Sequence, residues 1–367
     1  WNDALGGVDT VNSSVSFGPL GFGIENLNLT GFAAINGTGN SNNNIINGNS
    51  AANVLDGGTG ADTMHAGDGS DTYFVDNTGD VVSEFWNDAL GGVDTVNSSV
   101  SFGPLGFGIE NLNLTGIANI NGTGNANNNV INGNVGNNVL NGGAGNDTLF
   151  GSNGNDVLIG GTGADTMNGG DHNDTYSVDN VGDVVAETFN DALGGVDTVN
   201  SSVSFGPLGF GIERLNLTGV ANINGTGNAN NNVINGNVGN NILIGGAGND
   251  TINGGSGNDL IIGGLGKDTM TGGLGADRFD FNSVAESPSL GAFDIVSGFN
   301  WGQGDKIDLV TIDANLLLAG NQAFGLGQLA FNSVTNIFTA DVVGGANLSI
   351  NLVGVQPGFS VALDVIA

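Results

Sequence analysis

Aspartate recurs at one fixed place in a nine-residue pattern. Residues 142–159, GGAGNDTLFGSNGNDVLI, show two successive copies: two small residues, a spacer, Gly, Asn, Asp, a spacer, a large apolar residue and a last spacer. Sixteen copies fill block 1 (39–74), block 2 (124–177) and block 3 (227–280). A carboxylate that returns at a regular interval between glycines is a candidate ligand for a hard cation.

The sixth position of each copy carries the acid. It is aspartate in ten copies, and an acid follows each block nine residues after its last aspartate. The candidate metal ligands are therefore Asp62, Asp71, Asp80, Asp147, Asp156, Asp165, Asp174, Asp183, Asp250, Asp259, Asp268, Asp277 and Glu286. The opening copies of the blocks have a neutral amide instead, at Asn44, Asn53, Asn129, Asn138, Asn232 and Asn241. We expect these amides to form hydrogen-bonded ladders rather than full metal sites.

Two longer repeats indicate how the copies are stacked. Residues 1–31 recur unchanged at 86–116 and with two substitutions at 189–219. The spacings of 85 and 103 residues differ by eighteen, which is two nonapeptides. Because two nonapeptides are inserted without disturbing the flanks, eighteen residues are expected to form one coil of a solenoid.

This register stacks sixth-position acids at the ~4.8 Å spacing of neighbouring strands. The expected pairs are Asp62 with Asp80, Asp147 with Asp165, Asp156 with Asp174, Asp165 with Asp183, Asp250 with Asp268, Asp259 with Asp277, and Asp268 with Glu286. Two carboxylates at that distance repel by roughly 1 kcal/mol even in water. The alternative to metal binding is a set of solvated turns that hold no ion. The ligands that the sequence offers to a metal are carboxylate and carbonyl oxygens, without cysteine. Such ligands suit several Ca²⁺ ions better than Mg²⁺.

The eighth position of all sixteen copies is large and apolar, and it predicts the strands that position the turns. One inward side chain between two outward neighbours is the pattern of a three-residue strand. Glycine at the first, second and fourth positions permits turn conformations that other residues resist. The sequence therefore predicts an all-β protein built as a solenoid of short strands, without helices.

Composition points to cations as partners. The chain has 367 residues, 69 glycines, no cysteine and a formal net charge of −32. So much glycine raises the entropy cost of folding, and such a charge opposes compaction unless cations bind. We expect no binding to nucleic acid and no membrane insertion, because the charge repels the first and no apolar run reaches ~18 residues.

The phrases GGAGNDTLF, GGSGNDLII and GGTGADTMN resemble the nonapeptides of RTX calcium-binding proteins. The resemblance covers residues 39–286 and implies a right-handed parallel β-roll, with Ca²⁺ held between coils by sixth-position Asp side chains and glycine carbonyls. The tail, from residue 272 through DIVSGFN and GDKIDLVTID to the final LDVIA, is similar to the end of bacterial type I secretion substrates. That similarity implies a C-terminal β cap, export by the type I apparatus, and a secreted or cell-surface location in a Gram-negative bacterium.

These features predict the organisation of the chain. The segments are 1–38, the end of an upstream repeat; 39–83, block 1; 84–123, spacer; 124–186, block 2; 187–226, spacer; 227–286, block 3; and 287–367, cap and secretion signal. The spacers alternate polar and apolar residues, which fits either further coils or a separate globular insert, and coils are the favoured interpretation.

Two functions are compatible with these features, and a third is opposed by them. A secreted structural protein (surface layer, filament, matrix component or adhesin stalk) is favoured, because verbatim repetition of 31 residues fits regular contacts in a homo-oligomer. A calcium-folding and secretion module of a larger RTX hydrolase or toxin is the alternative. Neither HExxH nor GxSxG occurs here, so no enzyme activity is predicted for this chain. Ice binding through ranks of threonine is opposed by apolar interruptions of those ranks.

Overall fold

The computed structural model describes residues 7–84, 91–187, 194–288, 293–312, 323–324, 328–343, 346–354, 359–361 and 365–366. The chain divides into a first unit, Trp1–Gly195, and a second unit, Val196–Ala367. Every predicted metal ligand lies within the described residues, whereas much of the predicted cap and secretion signal lies outside them.

The first unit consists of short strands joined by turns. Its strands are β1 (Thr10–Ser13), β2 (Asn26–Leu29), β3 (Gly37–Asn40), β4 (Ile45–Asn47), β5 (Val54–Gly58), β6 (Thr63–His65), β7 (Thr72–Val75), β8 (Val81–Val82), β9 (Thr95–Ser98), β10 (Asn111–Leu114), β11 (Gly122–Thr123), β12 (Val130–Asn132), β13 (Val139–Ala144), β14 (Thr148–Asn153), β15 (Val157–Thr162), β16 (Thr166–Asp171), β17 (Thr175–Val178) and β18 (Val184–Ala186).

Most successive strands of the first unit alternate between parallel sheets, whereas β1 and β2, and likewise β9 and β10, are neighbours in one sheet. One sheet has the order β1-β2-β4-β6-β8, a second has the order β18-β16-β14-β12-β10-β9-β7-β5-β3, and β11, β13, β15 and β17 are neighbours in a third. Ile46 pairs with Met64, and Leu140 with Leu158, eighteen residues on in each case. Two nonapeptides therefore make one coil, as the sequence predicted, and the prediction of an all-β parallel solenoid is confirmed.

The spacer between blocks 1 and 2 continues the same sheet with coils of other lengths. Thr72 pairs with Thr95, Thr95 with Asn111, and Asn111 with Val130. Outward asparagines hold these coils together, since Asn113 donates its amide to Asn97 Oδ1 at 3.0 Å. The described part of this spacer is therefore made of coils.

The second unit repeats this arrangement and then departs from it. Its strands are β19 (Thr198–Ser201), β20 (Arg214–Leu217), β21 (Gly225–Thr226), β22 (Val233–Asn235), β23 (Ile242–Ala247), β24 (Thr251–Ser256), β25 (Leu260–Leu265), β26 (Thr269–Leu274), β27 (Arg278–Asp280), β28 (Asp294–Ser297), β29 (Lys306–Asp308), β30 (Leu329–Asn332), β31 (Ile337–Ala340), β32 (Leu348–Val353) and β33 (Val365–Ile366). Pairing is parallel up to β28 with β32, whereas β30, β31 and β32 pair antiparallel.

The eighth-position side chains form the core of both units. All sixteen are 0 or 1% exposed: Ile46, Leu55, Met64, Tyr73, Ile131, Leu140, Leu149, Leu158, Met167, Tyr176, Ile234, Leu243, Ile252, Ile261, Met270 and Phe279. Full burial of such a side chain contributes about 1.5–3 kcal/mol. The prediction that this position faces inward is confirmed, and the turns beside it are fixed by that packing.

Candidate metal sites

The sixth-position acids are bonded from coil to coil through their Oδ1 atoms. Each Oδ1 accepts the backbone N–H of the sixth-position residue one coil earlier. The pairs and their N···O distances are Asp62–Asp80 (2.9 Å), Asp147–Asp165 (2.8 Å), Asp156–Asp174 (2.7 Å), Asp165–Asp183 (3.0 Å), Asp250–Asp268 (2.8 Å) and Asp259–Asp277 (3.0 Å). Six of the seven predicted pairs are therefore neighbours in the structure.

The seventh pair, Asp268 with Glu286, is wrong. The N–H of Asp268 donates to Asp294 Oδ1 at 2.7 Å, whereas Glu286 Oε2 accepts the N–H of Asn282 at 2.9 Å. The coil that follows Asp268 has 26 residues instead of eighteen, so counting in nines reaches the wrong acid. Glu286 nevertheless lies close enough to raise the pKa of Asp294, after the larger effect of burial.

Three acids that continue the ladders were missed by the sequence analysis. Asp94 accepts the N–H of Asp71 at 2.7 Å, and Asp305 accepts that of Asp277 at 3.1 Å, while Asp294 is the partner of Asp268. A local signal could have found them, because each stands two residues before a buried apolar residue, as every sixth position does.

The second carboxylate oxygen of these acids is buried without a hydrogen-bond partner. Among the described residues this applies to Oδ2 of Asp62, Asp71, Asp94, Asp147, Asp156, Asp165, Asp250, Asp259, Asp268, Asp277 and Asp294. A buried charge without a partner is costly, so these oxygens call for a counter-charge.

Two of the predicted ligands differ from this pattern. Asp80 Oδ2 accepts the N–H groups of Asp76 and Asn77, both at 3.2 Å. Asp183 Oδ2 accepts the corresponding pair of N–H groups at 3.1 Å. An ion bound at these two residues would compete with backbone hydrogen bonds that close the end of each ladder.

The first-position glycines leave room beside the unpartnered oxygens. A Cβ added to Gly142 would overlap both Oδ2 of Asp147 and the carbonyl oxygen of Gly160. The same relation holds for Gly245, whose Cβ would overlap Asp250 Oδ2 and a glycine carbonyl of the next coil. The space that glycine leaves is thus lined by one carboxylate and one carbonyl oxygen, the donor types that Ca²⁺ prefers.

Burial also shifts the titration of these acids. It raises the pKa of Asp62, Asp147, Asp156, Asp259 and Asp277 from 3.8 to about 6, and that of Asp250 to about 7. A backbone N–H bond opposes the shift at each, while a stacked carboxylate adds to it at Asp147 and at Asp259. The sequence has no Lys or Arg before Arg214, so no lysine or arginine of the first unit can supply the counter-charge.

The asparagine copies face a different set of atoms. Asn129 Nδ2 donates to the carbonyl oxygens of Ile109 and Glu110 at 3.1 and 3.2 Å, and its Oδ1 accepts the N–H of Asn125 at 2.8 Å. A carboxylate could not donate to these carbonyls. The amides are hydrogen-bonded, but the partners of Asn129 are backbone groups, and Asn138 donates both to the carbonyl oxygen of Ile120 and to Asn134 Oδ1 rather than to another sixth-position amide.

Acidification is expected to stabilise the metal-free fold. Because the folded-state pKa values lie above those of the unfolded chain, this stability is present at low pH and is lost as the pH rises through about 6 to 7. In chelator, lowering the pH from about 7.5 to about 5 should increase β-structure, and Ca²⁺ should bind more weakly because protons compete for the carboxylates. Circular dichroism at the two pH values tests this, and identical metal-free spectra would contradict it.

Parts of the chain match a known repeat family. The family model of the RTX calcium-binding nonapeptide repeat, which spans four copies, matches residues 38–73, 123–158, 150–185, 226–261 and 244–279. No curated protein sequence matches the chain.

No helix among the described residues is long and apolar enough to cross a membrane.

Two solved structures show partial similarity. The solution structure of the AlgE6R3 subunit from the Azotobacter vinelandii mannuronan C5-epimerase is 23% identical over 37% of this chain and 78% of its own, with a TM-score of 0.28. The AlgE6R2 subunit of the same epimerase is 23% identical over 40% of this chain and 91% of its own, with a TM-score of 0.27.

Proposed function

This chain carries RTX calcium-binding nonapeptide repeats, and from that premise we propose that it is a secreted structural protein whose coils fold and stiffen on binding extracellular Ca²⁺. The observation that carries the proposal is the row of buried, unpartnered Oδ2 atoms at the sixth positions. Sixth-position aspartates and first-position glycine carbonyls would hold the ions. Bound Ca²⁺ would supply the positive charge that these oxygens lack.

The chain itself supplies the rest of the coupling between coils. The Oδ1 atom of each stacked aspartate accepts the backbone N–H of the sixth-position residue one coil earlier. An ion bound at Oδ2 would hold the carboxylate in the orientation that this hydrogen bond needs. The buried eighth-position residue lies two residues away on the following strand. Ion binding, turn geometry and core packing therefore reinforce one another within each coil.

An extracellular location fits the expected affinity. Extracellular calcium modules bind at ~10⁻⁴ to 10⁻³ M, so such a chain would remain unfolded inside a cell and fold outside it. An unfolded chain is the form that a narrow exporter can pass. This supports export by the type I apparatus to the medium or the cell surface.

Repeated exposed apolar side chains support a structural role. Phe22, Phe107 and Phe210 occupy the same place in the three long repeats and are 62, 62 and 66% exposed. An exposed phenylalanine that returns at the same place offers each long repeat the same apolar contact, and bound Ca²⁺ would lower the net charge of −32 that keeps chains apart. We therefore propose that copies of this chain associate through these repeated surfaces.

Addition of millimolar Ca²⁺ should convert the protein to larger, regular species, because the fold then forms and the repulsion between chains falls. Sedimentation velocity with and without Ca²⁺, followed by electron microscopy, measures this.

Replacing the three phenylalanines Phe22, Phe107 and Phe210 by Ser should reduce association. Val334→Ser should not, although Val334 is 90% exposed, because it lies outside the long repeats. A compact monomer in millimolar Ca²⁺ at high protein concentration would contradict the structural role.

A further inference from the structure

Three buried carboxylates meet at the junction between block 1 and the spacer. One carboxylate oxygen from each of Asp71, Glu84 and Asp94 lies within 4.8 Å of the other two. Asp71 belongs to the last copy of block 1, Glu84 follows β8, and Asp94 immediately precedes β9. The three side chains are 1, 7 and 1% exposed.

Two of these residues bring unpartnered oxygens into the group. Asp71 Oδ1 accepts the N–H of Asn53 at 2.6 Å, and Asp94 Oδ1 accepts the N–H of Asp71 at 2.7 Å. The Oδ2 atoms of both aspartates are buried and accept no hydrogen bond from any residue that the structure describes. Backbone contacts thus satisfy one oxygen of each carboxylate and leave the other for a ligand.

Glu84 is held in place from two sides. Its Oε2 accepts the N–H of Gly67 at 2.9 Å, and its Oε1 accepts the hydroxyl of Tyr73. The same hydroxyl oxygen accepts the N–H of Ala66 at 2.9 Å. The tyrosine hydroxyl is therefore the acceptor in that bond and the donor in its bond to Glu84. The buried Tyr73 therefore positions the glutamate beside the two aspartates.

This group differs from the nonapeptide sites. Ala66 is the only residue other than glycine among the sixteen first positions, so a methyl group occupies the space that is open in the other copies. The ladder partner of Asp71 is 23 residues away rather than eighteen, and Glu84 lies outside the repeat pattern. The hydrogen bonds themselves recur in block 2, where Gly169 donates to Tyr176 and Gly170 to Glu187 at 2.7 and 3.2 Å.

The electrostatic environment favours a bound cation. The three carboxylates are buried beside one another, so their negative charges are costly unless a cation accompanies them. No Lys or Arg precedes Arg214 in the sequence, so none in the first unit can neutralise the group. An oxygen-only set of three carboxylates suits a hard divalent cation.

We propose that Asp71, Glu84 and Asp94 form a separate Ca²⁺ site that fastens the last coil of block 1 to the first coil of the spacer. The site supplements the nonapeptide sites and does not depend on the structural role proposed above. Its ligands come from three successive segments of the chain, so its occupation stabilises a junction where the regular eighteen-residue coil is interrupted.

Counting bound ions on the full chain tests this site. By equilibrium dialysis, Glu84→Gln and Asp94→Asn should each bind one Ca²⁺ fewer than the unmodified protein. Asn at position 94 keeps the oxygen that accepts the N–H of Asp71, so this variant preserves the ladder bond if Glu84→Gln fails to fold. Glu25→Gln is the matched control and should bind the full number, because Glu25 lies outside the group and its Oε2 accepts the exposed N–H of Asp9.

A second measurement reports on the site directly. Tb³⁺ occupies calcium sites and luminesces when a nearby tyrosine absorbs light, and Tyr73 and Tyr176 are the two tyrosines of the chain. In a Tyr176→Phe background, Tyr73→Phe should lower the sensitised emission to the level that the three tryptophans supply, and Glu84→Gln should abolish that difference.

The outcomes separate this site from the nonapeptide sites. Unchanged ion counts in folded Glu84→Gln and Asp94→Asn, or an emission difference that survives Glu84→Gln, would overturn it. If Asp165→Asn lowers the ion count in the same experiment while these variants do not, the nonapeptide sites stand and only the junction site is refuted.

Discussion

Removal of Ca²⁺ should convert the protein to a largely disordered chain, and return of Ca²⁺ should restore its β-structure. The ligands meet only in the folded state, so binding and folding are one event. Without the ions, the fold would bury a row of unpartnered carboxylate oxygens in a chain whose net charge is −32. Far-ultraviolet circular dichroism in chelator and in millimolar Ca²⁺ measures the change, with equal Mg²⁺ as the control for ionic strength.

The size of this effect follows from the number of sites. An ion present at about 1–10 times its dissociation constant, as millimolar Ca²⁺ would be here, stabilises the fold by about 0.4–1.4 kcal/mol per site. The sum over many such sites reaches the whole stability of a typical domain, about 5–15 kcal/mol. Mg²⁺ should restore little structure, because it gives up its water reluctantly and prefers strict octahedral geometry. A folded spectrum in chelator at neutral pH would contradict the coupling.

Asp165→Asn should cause the largest loss of Ca²⁺ binding among single substitutions in block 2. Asp165 lies in the middle of its ladder, since its Oδ1 accepts the N–H of Asp147 and its own N–H donates to Asp183. Asn keeps the accepting oxygen and the size of the side chain, so the change removes mainly the charge at Oδ2. In millimolar Ca²⁺, which is about 1–10 times the expected dissociation constant, loss of one site should cost about 0.4–1.4 kcal/mol in Ca²⁺-dependent stability. Isothermal titration and denaturant unfolding measure the two effects.

Asp171→Asn is the matched control for this substitution. It removes the same charge in the same block, but Asp171 stands at a third position and its carboxylate accepts an exposed hydrogen bond from Asn153 at 3.3 Å. Its effect on Ca²⁺ affinity should be small because the group is solvated. Equal losses in the two variants would mean that overall charge, and not the sixth-position ladder, determines binding.

The repeat blocks were predictable because their structure is determined locally. A three-residue strand needs one inward side chain, and a turn after it needs glycine, so nine residues contain nearly all the information for one half-coil. The pairing of Leu140 with Leu158 and the bond from Asp147 to Asp165 follow from counting alone. The same count gives the buried face, since Leu149 and Met167 fall at the eighth position.

The boundaries of the blocks were not predictable by counting. Coils of 23, 26 and 28 residues follow Asp71, Asp268 and Asp277, and the extra residues leave no periodic signal. Counting therefore assigned Glu286 the place that Asp294 holds. The contact of Tyr73 with Glu84 also could not be predicted from the sequence, because it depends on how a side chain of one coil packs over the turn of another.

Locating the ions by anomalous diffraction from crystals grown in Ca²⁺ tests the central claim most directly. We predict anomalous peaks beside Oδ2 of Asp147 and Asp250, each next to the glycine carbonyl that shares its space, and none at the Asn129 amide. Peaks confined to exposed acids, with these buried Oδ2 atoms hydrogen-bonded to protein or water instead, would contradict the assignment of the sixth-position aspartates as the calcium ligands.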